Sequence, residues 1–136
     1  MIQQIEFSLP PCKRGFHLIT SLIEKKLESL PEKGLLHIHI KHTSAGITIN
    51  ENADPTVRLD FETFFNKLIP ENSNYFKHTS EGSDDMPSHL KASIIGQNIT
   101  IPITNYRMNL GTWQGIYFCE FRDFGGDRKI VLTMYS

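Results

Sequence analysis

Between Leu35 and His42 apolar and polar residues alternate without a break. Leu36, Ile38 and Ile40 fall on one face with His42, and Leu35, His37, His39 and Lys41 share the other. Side chains point to opposite faces only in an extended chain, so a period of two demands a strand with one face inside a core. Gly46 to Asn50 keeps the same period, with Ile47 and Ile49 alternating with Thr48 and Asn50. Ile2 to Leu9 reads as a first strand stopped by Pro10-Pro11. The last third of the chain predicts further strands over Ile99–Ile103, Gly115–Phe121 and Lys129–Tyr135. A turn falls at Asn105–Asn109, and Phe124-Gly125-Gly126-Asp127 predicts a hairpin turn joining the last two strands.

Three segments break this pattern with helical spacing. Ile19, Leu22, Ile23, Leu27 and Leu30 recur at i, i+3, i+4, one buried stripe closed by Pro31, with Thr20 or Ser21 placed to cap it. Asp54-Pro55 puts a carboxylate at an N-cap and proline at the first helical position, and Val57, Phe61, Phe64, Phe65 and Leu68 follow on one face up to Pro70. The polar stretch 71–86 is a loop, and Pro87 to Ile95 predicts a short helix opened by Asp85 and closed by Gly96. This order predicts an α+β fold: a mixed, mostly antiparallel sheet or sandwich with two main helices and one short one. At 136 residues, 1–136 is expected to form one domain.

Composition removes several classes of function. The formal charge is −1 with no Lys/Arg block, which argues against a nucleic-acid or membrane-surface partner. No apolar run approaches a membrane span, and the alternating N-terminal residues lack the apolar region of a signal peptide. Cys12 and Cys119 are two cysteines without CxxC spacing, which fits a reducing cytoplasm; each is expected to be a small buried hydrophobe. Walker, GxGxxG, GxSxG and HExxH patterns are all missing.

What remains is a polar cluster. Lys77 to His89 holds His78, His89, Glu81, Asp84 and Asp85 with almost nothing to bury, and His42 precedes Thr43-Ser44-Ala45-Gly46. Imidazole and carboxylate hold first-row metals and move protons near neutral pH, and the spacing fits an open site rather than a closed zinc finger. Asp85 can serve as ligand, base or helix cap, and Asp84 is expected to be solvated. Asp54 has a structural role as N-cap, though a helix start also favours a nearby anion. His37 and His39 are expected at solvent or a subunit contact, and Lys91 as a solvated helix lysine. Between Gly111 and Gly115, Trp113 is core or interface filler or the lining of a ligand pocket, and Gln114 is a neutral donor and acceptor for a ligand.

Five segments occur in order: His42-Thr43-Ser44-Ala45-Gly46, Asn50-Glu51-Asn52-Ala53-Asp54-Pro55, His78 with Glu81-Gly82, Ser88-His89-Leu90-Lys91-Ala92-Ser93 and Gly111-Thr112-Trp113-Gln114-Gly115-Ile116. Together they resemble the YjbQ-like family, across essentially the whole chain. Many members carry Asn-Ala where this chain has Asp85-Met86. The resemblance implies a homotrimer with polar sites near subunit boundaries. It also implies a weak, secondary thiamine-phosphate synthase activity, joining hydroxymethylpyrimidine diphosphate to a thiazole phosphate with release of pyrophosphate. The resulting expectation is a cytoplasmic, metal-capable protein that takes a small phosphorylated molecule or anion. His42, His78 and His89 hold a divalent ion, zinc or magnesium; Asp54 and Glu81 are the catalytic carboxylates; Trp113 and Gln114 line the pocket. The alternative is a non-catalytic trimer that binds a metal or small anion.

Overall fold

The computed structural model describes residues 1–136. In chain order the elements are β1 (Ile2–Leu9), β2 (Gly15–Leu18), α1 (Thr20–Lys26), β3 (Lys33–Ile40), β4 (Ala45–Glu51), α2 (Pro55–Leu68), α3 (Asp85–Ile95), β5 (Asn98–Thr104), β6 (Arg107–Met108), β7 (Gln114–Glu120) and β8 (Arg128–Tyr135). The strands form two antiparallel sheets, ordered β1-β8-β3-β5-β6 and β2-β7-β4. The expected α+β class, mostly antiparallel, is the one observed.

Alternation decides the layering. Leu36, Ile38, Ile40, Ile101, Ile103, Ile130, Leu132 and Met134 leave the first sheet and meet Ala45, Ile47, Ile116 and Phe118 of the second. The opposite face of the second sheet presents Tyr117, Cys119 and Phe16 to Phe65 of α2 and Ala92 of α3. Strand β7 is therefore buried on both faces, which is why Ile116 to Phe121 carries only one charged residue, Glu120. Each such fully buried Ile or Phe contributes about 1.5–3 kcal/mol of transfer free energy. Helix α3 presses on β4 so closely that a Cβ at Gly46 would stand 2.8 Å from the Gly96 carbonyl, which accepts the Ile47 N–H at 3.0 Å.

Several expectations are corrected. The segment 121–127 is not a hairpin turn, because β7 and β8 belong to different sheets and the chain crosses between layers there. Residues Gly15–Leu18 form a strand on β7 that period analysis misses at four residues, and the first helix ends at Lys26. Its stripe of Ile19, Ile23 and Leu27 is buried as expected, but neither Thr20 nor Ser21 caps it: Thr20 Oγ1 accepts the Ile116 N–H at 2.9 Å. Helix α2 begins at Asp54-Pro55 as read, yet of its apolar face only Phe65 is buried, while Phe64 and Leu68 are exposed, since the second sheet is just three strands wide. Lys91 is not solvated; it is 2% exposed and donates to Asn66 Oδ1 at 2.6 Å.

Candidate functional site

Helix α3 sets the centre of the site. Asp85 is its first residue and His89 lies four positions on, so both side chains project from one face. Asp85 Oδ2 receives His89 Nε2 at 3.2 Å and, from the loop before the helix, His78 Nε2 at 2.7 Å. The two imidazole centroids are 5.5 Å apart. Within 4.8 Å of one another, His78, Asp85 and His89 each offer one donor atom that could reach a shared ion.

Arg122, just past β7, fixes the carboxylates. Its Nη1 donates to Asp85 Oδ1 at 2.7 Å, its Nε to Asp84 Oδ2 at 2.9 Å and its Nη2 to the Glu81 carbonyl at 2.9 Å. Asp84 also accepts the Asp123 N–H at 2.9 Å, so it is buried and paired rather than solvated. Burial pushes the Asp85 carboxyl up, but the hydrogen bond from His78 and the charges of His89 and Arg122 outweigh it and hold the group below its ordinary range. Asp84 is likewise held low, against burial, by the Asp123 N–H and Arg122. Asp85 therefore stays an anion with one oxygen committed to Arg122 and the other free to face the histidines.

The tautomer of His89 follows from its other nitrogen. Nδ1 lies 3.0 Å from the Thr43 carbonyl, which only accepts, so Nδ1 carries a hydrogen. In the neutral ring Nε2 then holds a lone pair aimed at a carboxylate oxygen. Two acceptors facing each other repel; a positive centre between them, a proton on Nε2 or a metal cation, removes the conflict.

His42 lies outside this trio. Strand β3 ends at Ile40, so His42 leaves the inward row and enters the β3–β4 loop, where its Nε2 accepts the Lys129 N–H at 2.8 Å. That bond occupies the nitrogen a metal would use and leaves Nδ1–H as a donor. Burial, then the charge of Arg128, pushes its pKa below the ordinary imidazole value and favours the neutral ring. His42 and His89 nonetheless line one open cleft of about 860 Å³ with His39, Thr43, Ser93 and Gln97.

Behind the cleft sits a buried ion pair. Glu120 accepts from Arg128 Nε at 2.8 Å and from its Nη2, and both residues are nearly inaccessible. Arg128 also donates to Ser44 Oγ at 3.0 Å, and Glu120 takes the Arg122 N–H at 3.2 Å. One carboxylate thus anchors both the loop bearing His42 and Thr43 and the strand end bearing Arg122.

The remaining expected residues are placed as follows. Glu81 stands at the rim, exposed, with Oε2 4.0 Å from His78 Nε2. Asp54 caps α2, accepting the Thr56 N–H at 2.9 Å and the Thr56 hydroxyl at 2.7 Å, bonds that lower its pKa. Gln114 accepts the Gly111 N–H at 2.7 Å, and Trp113 is 64% exposed. Glu51 pairs with Gln114 and Ala45 with Glu120, at opposite ends of the second sheet. Asp54, Trp113 and Gln114 consequently lie at one end and the histidine cluster at the other, about 20 Å of strand apart. Arg122, Glu120 and Arg128 were missed by sequence reasoning, because their partners are 8 to 84 residues away. The Asp85–His89 pair did carry a readable signal, the i, i+4 spacing on a helix.

The comparisons agree with one another. The family model described as UPF0047 protein YjbQ-like matches residues 4–136. The UPF0047 protein YjbQ of Salmonella typhimurium is 51% identical over 136 residues, covering 98% of each chain, and that of Escherichia coli O157:H7 is 47% identical with the same coverage. Among solved structures, an uncharacterised protein of the yjbq/upf0047 family from Clostridium acetobutylicum is 39% identical, with a TM-score of 0.81 over 96% of this chain and 99% of that one. A hypothetical protein from Aeropyrum pernix is 28% identical with a TM-score of 0.85, covering 98% of both chains. The chain belongs to the YjbQ-like, UPF0047 family.

Proposed function

We propose that the chain binds a divalent cation through His78, Asp85 and His89 and receives a phosphorylated small molecule in the cleft shared with His42. The observation that carries this reading is the convergence of two imidazole Nε2 atoms on one Asp85 oxygen, with the far nitrogen of His89 already committed to Thr43. The donor set fits: two imidazoles and one carboxylate leave open positions for water or ligand, and imidazole favours zinc over magnesium. Ligand atoms around such an ion stand about 3.4 Å apart, so the present spacings need only small side-chain movements. A bound cation would supply charge neutralisation for a departing phosphate oxygen. Arg122 orients Asp85, the Nδ1–H of His42 is free to donate to a ligand oxygen, and Glu81 at the rim is placed to accept a proton.

The reaction we propose to test is the coupling of hydroxymethylpyrimidine diphosphate to a thiazole phosphate with loss of pyrophosphate, as a slow, secondary activity. A second reading, a non-catalytic metal- or anion-binding protein, is favoured by the distance of Asp54, Trp113 and Gln114 from the cluster within one chain. A homotrimer that abuts the two ends of the second sheet reconciles the positions, and we propose that assembly. Metal content of wild-type protein and His89→Ala, measured alongside product formation, separates the readings. Metal and product both lost in the variant support the enzyme. Metal lost with no wild-type product supports the binding protein. Equal metal in both rejects the site, and a monomer mass in light scattering rejects the trimer.

A further inference from the structure

A second polar site lies where the β1–β2 loop faces the first turns of α2. An open groove there, about 470 Å³, is lined by Lys13, Arg14, His17, Arg58, Leu59 and Glu62, among others. Its cations differ sharply in how they are satisfied. Arg14 is held by Asp123 at 3.1 Å and Glu71 at 3.6 Å. Lys13 and Arg58 form no ion pair, and Arg58 Nε is a buried donor with no partner. The carboxylate that spacing would offer Arg58 is Glu62, one helical turn on. Its Oε2 is instead turned toward Gly15, 3.2 Å from where a Cβ there would sit. Gly15 has φ +142, so a side chain is disfavoured at that point on conformational grounds as well.

We infer that this groove is an anion subsite, in which Arg58 and Lys13 bind the phosphate group of a small molecule whose apolar body rests on Leu18 and Leu59. The class follows from the donors. A guanidinium presents its N–H groups in a fixed fork that matches phosphate oxygens, and Lys13 adds a second point charge. Exposed Leu59 and half-buried Leu18 give the organic part an apolar wall. None of His78, Asp85 and His89 lines the groove, and it needs no cation there, so it goes beyond the function proposed above.

The Arg58 Nε–H resonance offers a direct test. Inorganic phosphate and then pyrophosphate are titrated into labelled protein against sodium chloride of matched ionic strength. A saturable shift of Arg58 Nε–H and of the Lys13–His17 amides is expected, unchanged in His89→Ala. Arg58→Met and Lys13→Met, each verified as folded by circular dichroism, should weaken phosphate binding by about tenfold or more, as loss of a charge-assisted hydrogen bond implies. Failure to saturate at millimolar phosphate overturns the proposal. So does an equal response to acetate, or a shift confined to His78 and His89. Retained affinity in Arg58→Met has the same consequence.

Discussion

The Glu120–Arg128 pair offers the sharpest quantitative test of how the site is held. Arg128→Met removes the guanidinium while keeping most of its volume, and leaves the Glu120 carboxylate, 0% exposed, with only the Arg122 N–H. An uncompensated buried charge of this kind costs about 3–5 kcal/mol, whereas replacing both partners by apolar groups is often close to neutral. A domain of this size is stable by roughly 5–15 kcal/mol, so the single variant loses a large share of its margin. Ser44 also loses the donor to its Oγ, and with it the anchor of the loop that carries His42 and the Thr43 carbonyl. Urea unfolding monitored by circular dichroism should therefore show Arg128→Met destabilised by about 3–5 kcal/mol, and Glu120→Leu/Arg128→Met closer to wild type than either single variant. The nitrogen-15 shifts of His89 report the second consequence: wild type shows a protonated Nδ1, and Arg128→Met a mixture of tautomers. Additive losses in the double variant, or a cost below about 1 kcal/mol for the single one, would refute the reasoning.

Two further predictions concern the carboxylates. Asp85 titrates below its ordinary value of 3.8 in the folded protein, so its contribution is complete above that value and is lost as pH falls through the lowered folded pKa. Urea midpoints measured across the acid range should fall steeply below pH 4 for wild type and less steeply for Asp85→Asn; parallel curves contradict the linkage. Asp54→Ala removes the α2 cap and should lower the urea midpoint, with metal content unchanged; metal loss would place Asp54 at the cation site.

Local patterns were legible wherever one residue's neighbours in sequence are also its neighbours in space. The Leu36, Ile38, Ile40 alternation required a strand with a buried face, and Asp54-Pro55 announced a helix whose cap forms as read. His78 and His89 could be paired in advance because loop and helix adjoin. The sequence could not show that Phe124-Gly125-Gly126-Asp127 crosses between layers. A hairpin turn and a crossover use the same turn residues, and only strand pairing distinguishes them. Nor could it show that Lys91 is buried on Asn66, since helical spacing identifies a face but not what covers it. His42 marks the same boundary. Alternation extended the inward row to it, yet β3 stops at Ile40 and the Lys129 N–H takes its Nε2. The sequence by itself determined the six long strands, the start of α2 and a pool of polar side chains around His78 and His89. The tertiary structure alone decided which of them meet, because Asp85, Arg122, Glu120, Arg128 and Ser44 are joined by hydrogen bonds between segments that only the packed sheets bring together.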